Sequence, residues 1–219
     1  MNESILDFLS QLQLHNDREW FQANKPLYEK ARKEYEAFLD ELIPGIAKFD
    51  DSVKFLTGKE CTFRIFRDVR FAKDKSPYKI NFGAWMAKGG RKNSGPGYYV
   101  HIQAGESFLA GGVYMPDPAV LKKIRQEIFY NAEEFKKILN DPKVKKLFGG
   151  MDDFEKQKLA PKGFPKEFPD IDLLKNKHFI LSQAISDKEL TAKDFLKKAL
   201  ITFETMTKFQ DFLRRAVEV

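Results

Sequence analysis

Apolar residues recur along the chain with two different periods, and the change of period divides it into three parts. Near the N-terminus Ile5, Leu6, Phe8, Leu9 and Leu12 fall three and four residues apart, which is the spacing of one buried helix face. Ser4, with Asp7 three positions on, gives a start of capping-box-like spacing. A second start follows at Asn16-Asp17-Arg18-Glu19, where Asn16 is placed to accept from the exposed N–H groups of a first turn. Trp20, Leu27, Tyr28, Ala31, Tyr35, Phe38, Leu39 and Leu42 then hold helical spacing as far as Pro44-Gly45, a pair that stops helices. Residues 4–43 are therefore expected to form two helices.

From 52 to 115 the pattern becomes that of strands. Thr62-Phe63-Arg64-Ile65-Phe66 is β-branched and aromatic, and Lys79 to Ala87, Tyr98 to Gln103 and Phe108 to Tyr114 have the same character. Short polar or Gly-rich connections separate them, so the strands are expected to pair mostly antiparallel. Gly111-Gly112 interrupts one of them, which points to a bulge or a close backbone approach. Helices return at Asp117-Pro118, an N-cap followed by proline at the first helical position, with a stripe of Val120, Leu121, Ile124 and Ile128. Further starts lie at Asn131 and at Asp141-Pro142, with a stop at Gly149-Gly150. Residues 161–172, with three prolines, read as an ordered extended loop. His178 to Ile185 reads as one more strand. A last helix, capped near Thr191, buries Phe195, Leu196, Ala199, Leu200, Phe203, Met206, Phe209 and Leu213. Helices first, strands in the middle and helices last give an α+β fold over 1–219: a single domain whose central, mostly antiparallel sheet is flanked by N-terminal and C-terminal helices.

Composition narrows the class. Hydrophobic residues make up 42% of the 219, too many for a disordered chain. No apolar run approaches the length of a membrane span, so no membrane partner is expected. One cysteine, Cys61, excludes a disulfide within the chain, and with no signal-peptide core in the first residues a cytoplasmic location is expected. The net charge of +6 is modest, but it is unevenly placed. Residues 1–58 carry −4, residues 59–79 carry +4 and residues 59–150 together carry +9.

The basic surplus is densest in Arg64-Ile-Phe-Arg67-Asp68-Val-Arg70-Phe-Ala-Lys73-Asp74-Lys75-Ser-Pro-Tyr78-Lys79, a segment that leaves a strand and enters an irregular turn. Arginine forks match carboxylate and phosphate oxygens, and lysine adds a point charge. One reading is a pocket for a small anionic ligand, phosphorylated or carboxylated. In it Arg64, Arg67 and Arg70 grip the anion, Asp68 orients an arginine, and Lys75, Tyr78 and Lys79 add donors. His101, on the polar strand face of Tyr99, His101 and Gln103, is then the candidate acid–base group, which would make the protein an enzyme. A second reading takes residues 59–150 as a nucleic-acid-binding face, because Phe63, Phe66, Phe71 and Phe82 interleave with cations. A third takes the Arg–Asp cluster as a lock that holds an irregular loop to the sheet. His, Cys, Asp and Glu show no metal-ligand spacing, so no metal site is expected. No cofactor motif appears either: Gly89–Gly97 lacks the order of a phosphate-binding loop.

The run RIFRDVRFAKDKSPYK resembles the signature of a bacterial and fungal family known as domain of unknown function 2461. Asn16-Asp17-Arg18-Glu19-Trp20-Phe21 with Asn24-Lys25, Gly97 to Ile102, Gly111 to Pro116 and Pro161 to Phe164 are similar to four further motifs of that family, in order. The resemblance spans nearly the whole chain. It implies no activity, cofactor or substrate.

Overall fold

A computed structural model describes residues 1–218. α1 (Glu3–Leu14), α2 (Arg18–Ala23) and α3 (Lys25–Ile46) come first, followed by the short α4 (Gly58–Cys61). The sheet strands are β1 (Phe82–Ala87), β2 (Gly97–Ile102), β3 (Ser107–Val113) and, after α5 (Pro118–Tyr130), α6 (Ala132–Leu139), α7 (Pro142–Phe148) and α8 (Ile171–Leu174), β4 (Phe179–Ile185). α9 (Asp187–Thr191), α10 (Phe195–Thr205) and α11 (Thr207–Glu218) close the chain. The strands lie in the order β1-β2-β3-β4 and every pairing is antiparallel. The α+β class and the flanking of the sheet by both helical ends are as the periodicity indicates.

The register sorts the two faces. Phe82, Ala84 and Met86 pair with Ile102, Val100 and Tyr98, and Val100 and Tyr98 pair with Leu109 and Gly111. These residues are buried, and helices cover this face from both ends of the chain. Tyr35 of α3 donates to the Val100 carbonyl (3.0 Å) and stacks on Phe82 (5.4 Å). Phe203 of α10 meets Tyr98 edge-on (5.1 Å), and Phe38 stacks on Phe195 (5.3 Å), joining α3 to α10. Gly111 is where this layer comes closest: a Cβ there would lie 2.5 Å from Met206 Sδ and 2.8 Å from Gln210 Nε2. The ladder stays regular through it, so close approach is the reason for the glycine. Gln210 uses the proximity, donating to the Gly97 carbonyl at 2.6 Å.

Several boundaries differ from the sequence expectation. The helix over 16–43 is two helices, because Pro26, in the first turn of α3, has no N–H with which to continue α2. Pro44 does not stop α3, which runs on to Ile46; in the last turn proline costs one hydrogen bond and no more. Asn16 is not the cap of α2. Asp17 is, accepting from the Trp20 N–H at 2.8 Å. Ser4 caps nothing and donates to Glu34 (2.9 Å). Residues 62–66 form isolated bridges instead of a ladder strand, Thr62 to Ala84 and Phe66 to Tyr78. The last helix is broken at Met206 into α10 and α11.

A buried carboxylate fastens the C-terminal helix to this core. Asp50, after α3, accepts from the Tyr98 hydroxyl (2.9 Å), the Ser52 N–H (3.0 Å) and Arg214 Nη2 (2.6 Å). Burial pushes its pKa up, but the bonds from Ser52 and the Arg214 charge outweigh this and hold it below the ordinary carboxyl value. Arg214→Ala leaves that carboxylate buried with its counter-charge gone and is expected to cost about 3–5 kcal/mol in urea unfolding. Because the folded-state pKa is lowered, Asp50's contribution is present above about pH 3.8 and is lost as the pH falls through the lower folded value. An Asp50→Asn variant should therefore show a weaker acid dependence of stability than the native chain.

Candidate functional site

The basic segment doubles back on itself and rests on the α1–α2 junction. Arg67 N–H donates to the Pro77 carbonyl (2.9 Å) and Lys79 N–H to the Ile65 carbonyl (2.8 Å), so residues 65–67 and 77–79 form the neck of a loop. Asn16 clamps that neck. Its amide donates to the Tyr78 carbonyl (3.0 Å) and its carbonyl accepts from the Tyr78 N–H (3.1 Å). The Tyr78 ring lies flat on Phe21 of α2 at 3.9 Å and the residue is 3% exposed. Two stretches far apart in sequence, 16–22 and 64–79, are thus one structural unit.

Inside the loop most charges satisfy one another. Arg67 pairs with Asp74, which also accepts from the Ser76 N–H and hydroxyl. Arg70 pairs with Asp68 through Nε (3.0 Å) and Nη2 (2.6 Å). These bonds hold both carboxyls below their usual range: the Arg70 side chain is the main cause for Asp68, and the Ser76 hydroxyl followed by its N–H for Asp74. Lys75 donates to the Val69 carbonyl (3.0 Å) and the Arg70 carbonyl (3.4 Å). Arg64, Lys73 and Lys79 have no ion pair among the described residues. Lys79 is partly buried with its ammonium 5.4 Å from the centre of the Phe63 ring; burial, then the Arg64 charge, lowers its pKa.

Between α2 and this loop lies a half-open groove of about 430 Å³, a size suited to a small molecule. Arg18 and Gln22, one helical turn apart, form one wall. Phe66, Arg67, Val69, Pro77 and Tyr78 form the other wall and the floor. Arg18 is exposed and has no ion pair among the described residues. Of the residues singled out from sequence, Arg67 and Tyr78 line the groove. Arg64, Asp68, Arg70, Lys75 and Lys79 do not. Arg18 and Gln22 were missed: no local sequence signal marks them, and it is the stacking of Phe21 on Tyr78 that brings their helix to the groove. A larger depression of about 520 Å³ between α6 and α11 carries charges of both signs, and its Arg215 is engaged by Glu127 and Glu134. Arg91 of the Gly-rich loop is bound to the Lys59 and Glu60 carbonyls at the end of α4; it does not reach over the groove.

His101 lies elsewhere, on the sheet face turned away from the helices described above. Tyr99, His101 and Gln103 share that face, as their spacing requires. His101 stacks on Phe108 at 4.5 Å. Its Nδ1 accepts from the Tyr99 hydroxyl (3.1 Å) and lies 3.4 Å from the Asn81 amide nitrogen. The tautomer assigned by this network therefore carries its proton on Nε2, which donates to Gln103 Oε1 (3.2 Å). Gln103 in turn donates to Glu106 (2.6 Å). Burial pushes the Tyr99 hydroxyl up to about 12 and lowers the His101 pKa, more than the Gln103 bond and the Glu106 charge raise it.

His178, just before β4, sits between the rings of Tyr114 (5.0 Å) and Phe154 (4.7 Å). It accepts from the Met115 N–H at 2.9 Å and faces Glu155 at 3.4 Å. Met115 and Glu155 are the described non-glycine residues with positive φ, 47° and 56°, and both contact this one histidine. Cys61 is buried and unbridged, and burial, then the Glu60 charge, pushes its thiol up to about 12; that is the state of an inert thiol. Among the described residues no group of three His, Cys, Asp or Glu side chains is placed to hold a metal ion, and no helix is long and apolar enough to cross a membrane.

Two outcomes follow from this geometry. Asn16→Ala removes both bonds at Tyr78 and is expected to lower stability by about 1–3 kcal/mol and to open residues 66–78 to limited proteolysis before the rest of the chain. An unchanged cleavage pattern would contradict the clamp. His101, followed by NMR, should titrate below its ordinary 6.5. Since the folded value is depressed, its contribution to stability is present above about pH 6.5 and is lost as the pH falls through the lower folded value.

Residues 4–212 match the family model described as Conserved hypothetical protein (DUF2461). No curated protein and no solved structure matches the chain.

Proposed function

The chain belongs to the DUF2461 family, a name that carries no activity, and we propose from the groove itself that the protein binds a small anionic ligand, phosphorylated or carboxylated, between α2 and the 64–79 loop. The observation that carries this reading is the placing of two guanidinium groups, Arg18 and Arg67, in the lining of one half-open groove with an apolar floor. Arg18 is unpaired among the described residues, and Arg67 keeps donors beyond the one it gives Asp74. Two such forks donate to the oxygens of one phosphate or carboxylate. Gln22 supplies amide donors, and the Tyr78 hydroxyl adds another. Phe66, Val69 and Pro77 would take the uncharged part of the ligand.

In this reading the Arg–Asp pairs and the anion site are parts of one device. The pairs rigidify the loop so that Arg67 is held in place before the ligand arrives, which reduces the ordering cost of binding. Arg70 and Asp68 belong to the support, with Lys75 tying down the backbone beneath them. His101 is outside the groove lining, so the proposal is a binding function and assigns His101 no step in it.

Arg18 gives the clean test, because it is exposed and holds no ion pair whose loss would unfold the chain. The native protein is expected to melt higher in phosphate or citrate than in chloride of equal ionic strength, by the mass-action amount for a ligand that binds the folded state. Arg18→Ala should melt like the native protein in chloride and lose most of the anion-dependent rise. No rise for the native chain with either anion would overturn the reading.

A further inference from the structure

We propose that the anion taken by this groove is the phosphate of a single-stranded nucleic acid, with Phe66 and Phe71 as stacking surfaces for its bases. The proposal rests on the anion-binding reading above and names its substrate class.

The starting observation is that the loop displays phenylalanine. Phe71 is 96% exposed and Phe66 48%, although the core holds many other phenylalanine rings. Phe71 has no ring partner among the described residues; the Arg70 guanidinium lies over it, 6.0 Å from its centre. A mobile loop would fold such a ring back onto apolar surface. This loop does not bend that way, because Arg67–Asp74, Arg70–Asp68 and the Lys75 bonds to the Val69 and Arg70 carbonyls fix its backbone on both sides of Phe71. The ring is presented outward by a scaffold of ion pairs.

Cations are interleaved with these rings. Lys73, exposed and with no ion pair among the described residues, follows Phe71, and Arg18 faces Phe66 across the groove; Arg70 is spent on Asp68 through Nε and Nη2 and keeps only its Nη1 donors. Aromatic faces separated by unspent positive charge are what a single strand requires: bases stack on the rings and phosphates meet the cations between them, with little dependence on sequence. A duplex buries its base faces, and its major groove accepts a helix or a two-stranded ribbon; this compact loop offers rings instead. A lipid surface fits less well. The exposed part of Phe66 lines the groove beside Tyr78 instead of projecting with Phe71, so a bilayer would receive one ring.

The test is fluorescence anisotropy of the full chain with a labelled oligo(dT) of about 12 nucleotides, within the site sizes of single-strand-binding folds. Binding should be measurable near 50 mM salt and fall on a log–log slope of about −2 to −3, as expected for three or four phosphates at about 0.7 each. Phe71→Ala, at a position too exposed to affect folding, should weaken binding about 5- to 100-fold. Phe71→Trp should restore it and Phe71→Leu should not, because stacking needs a ring and apolar insertion does not. Loss of affinity on Arg18→Ala supports the groove as the path of the strand.

Absence of binding at low salt, duplex binding equal to single-strand binding, or native affinity in Phe71→Leu would overturn the proposal. So would Phe71-dependent binding to vesicles of phosphatidylserine and phosphatidylcholine with none to the oligonucleotide. If phosphate raises the melting temperature through Arg18 while the oligonucleotide fails to bind, the nucleic-acid proposal falls and the anion groove stands. If neither occurs, both fall.

Discussion

A single carboxamide holds the two halves of the candidate site together. The Asn16 side chain meets the N–H and the carbonyl of Tyr78 as a neighbouring strand would, satisfying a stretch of backbone that has left the sheet and has no ladder of its own. Everything in the groove follows from that contact. It sets the Tyr78 ring on Phe21, and α2 then presents Arg18 and Gln22 to the wall that carries Arg67. An acid would repel the carbonyl and an aliphatic residue would leave both backbone groups unpaired.

The same economy explains why ion pairs and a binding surface coexist in one loop. Asp68 and Asp74 are outnumbered by the cations around them, so pairing fixes the loop without neutralising it. Exposed pairs of this kind add little to stability. Their effect is on shape: they remove the freedom of a segment that has neither helix nor ladder to restrain it. The core uses a different kind of charge. Asp50, fully enclosed and held by Tyr98, Ser52 and Arg214, is an energetic tie between sheet and C-terminal helix.

Much of the fold was legible because it rests on periodicity. The helical stripes of α1, α3, α5 and α10 each report one buried face, and those faces are the ones that pack, while the β-branched and aromatic runs between turn residues mark the strands. Legibility ended where proline and asparagine act by context. Pro26 divides a helix whose apolar spacing runs on unbroken, whereas Pro44 sits harmlessly in a last turn. Asn16 has the residue type of a helix cap, yet the neighbouring Asp17 takes that task and releases Asn16 for a partner 62 positions away. The site was half legible for the same reason. Charge density marked out 64–79, but which arginine faces a groove depends on α2, and Arg18 carries no local signal. The gathering of Met115 and Glu155 at His178 has none either, since three segments distant in sequence meet there.

The sheet has an uneven relation to the order of the chain. β1, β2 and β3 follow one another through short turns, while β4 joins β3 only after α5 to α8 have intervened. The first three strands can pair at small cost in chain entropy. The β3–β4 ladder, from Val113–Phe179 to Ser107–Ile185, closes a far larger loop. That closure costs least chain entropy where α5 to α8 bring its ends together, so the helical insertion serves the sheet as a compact spacer between its third and fourth strands.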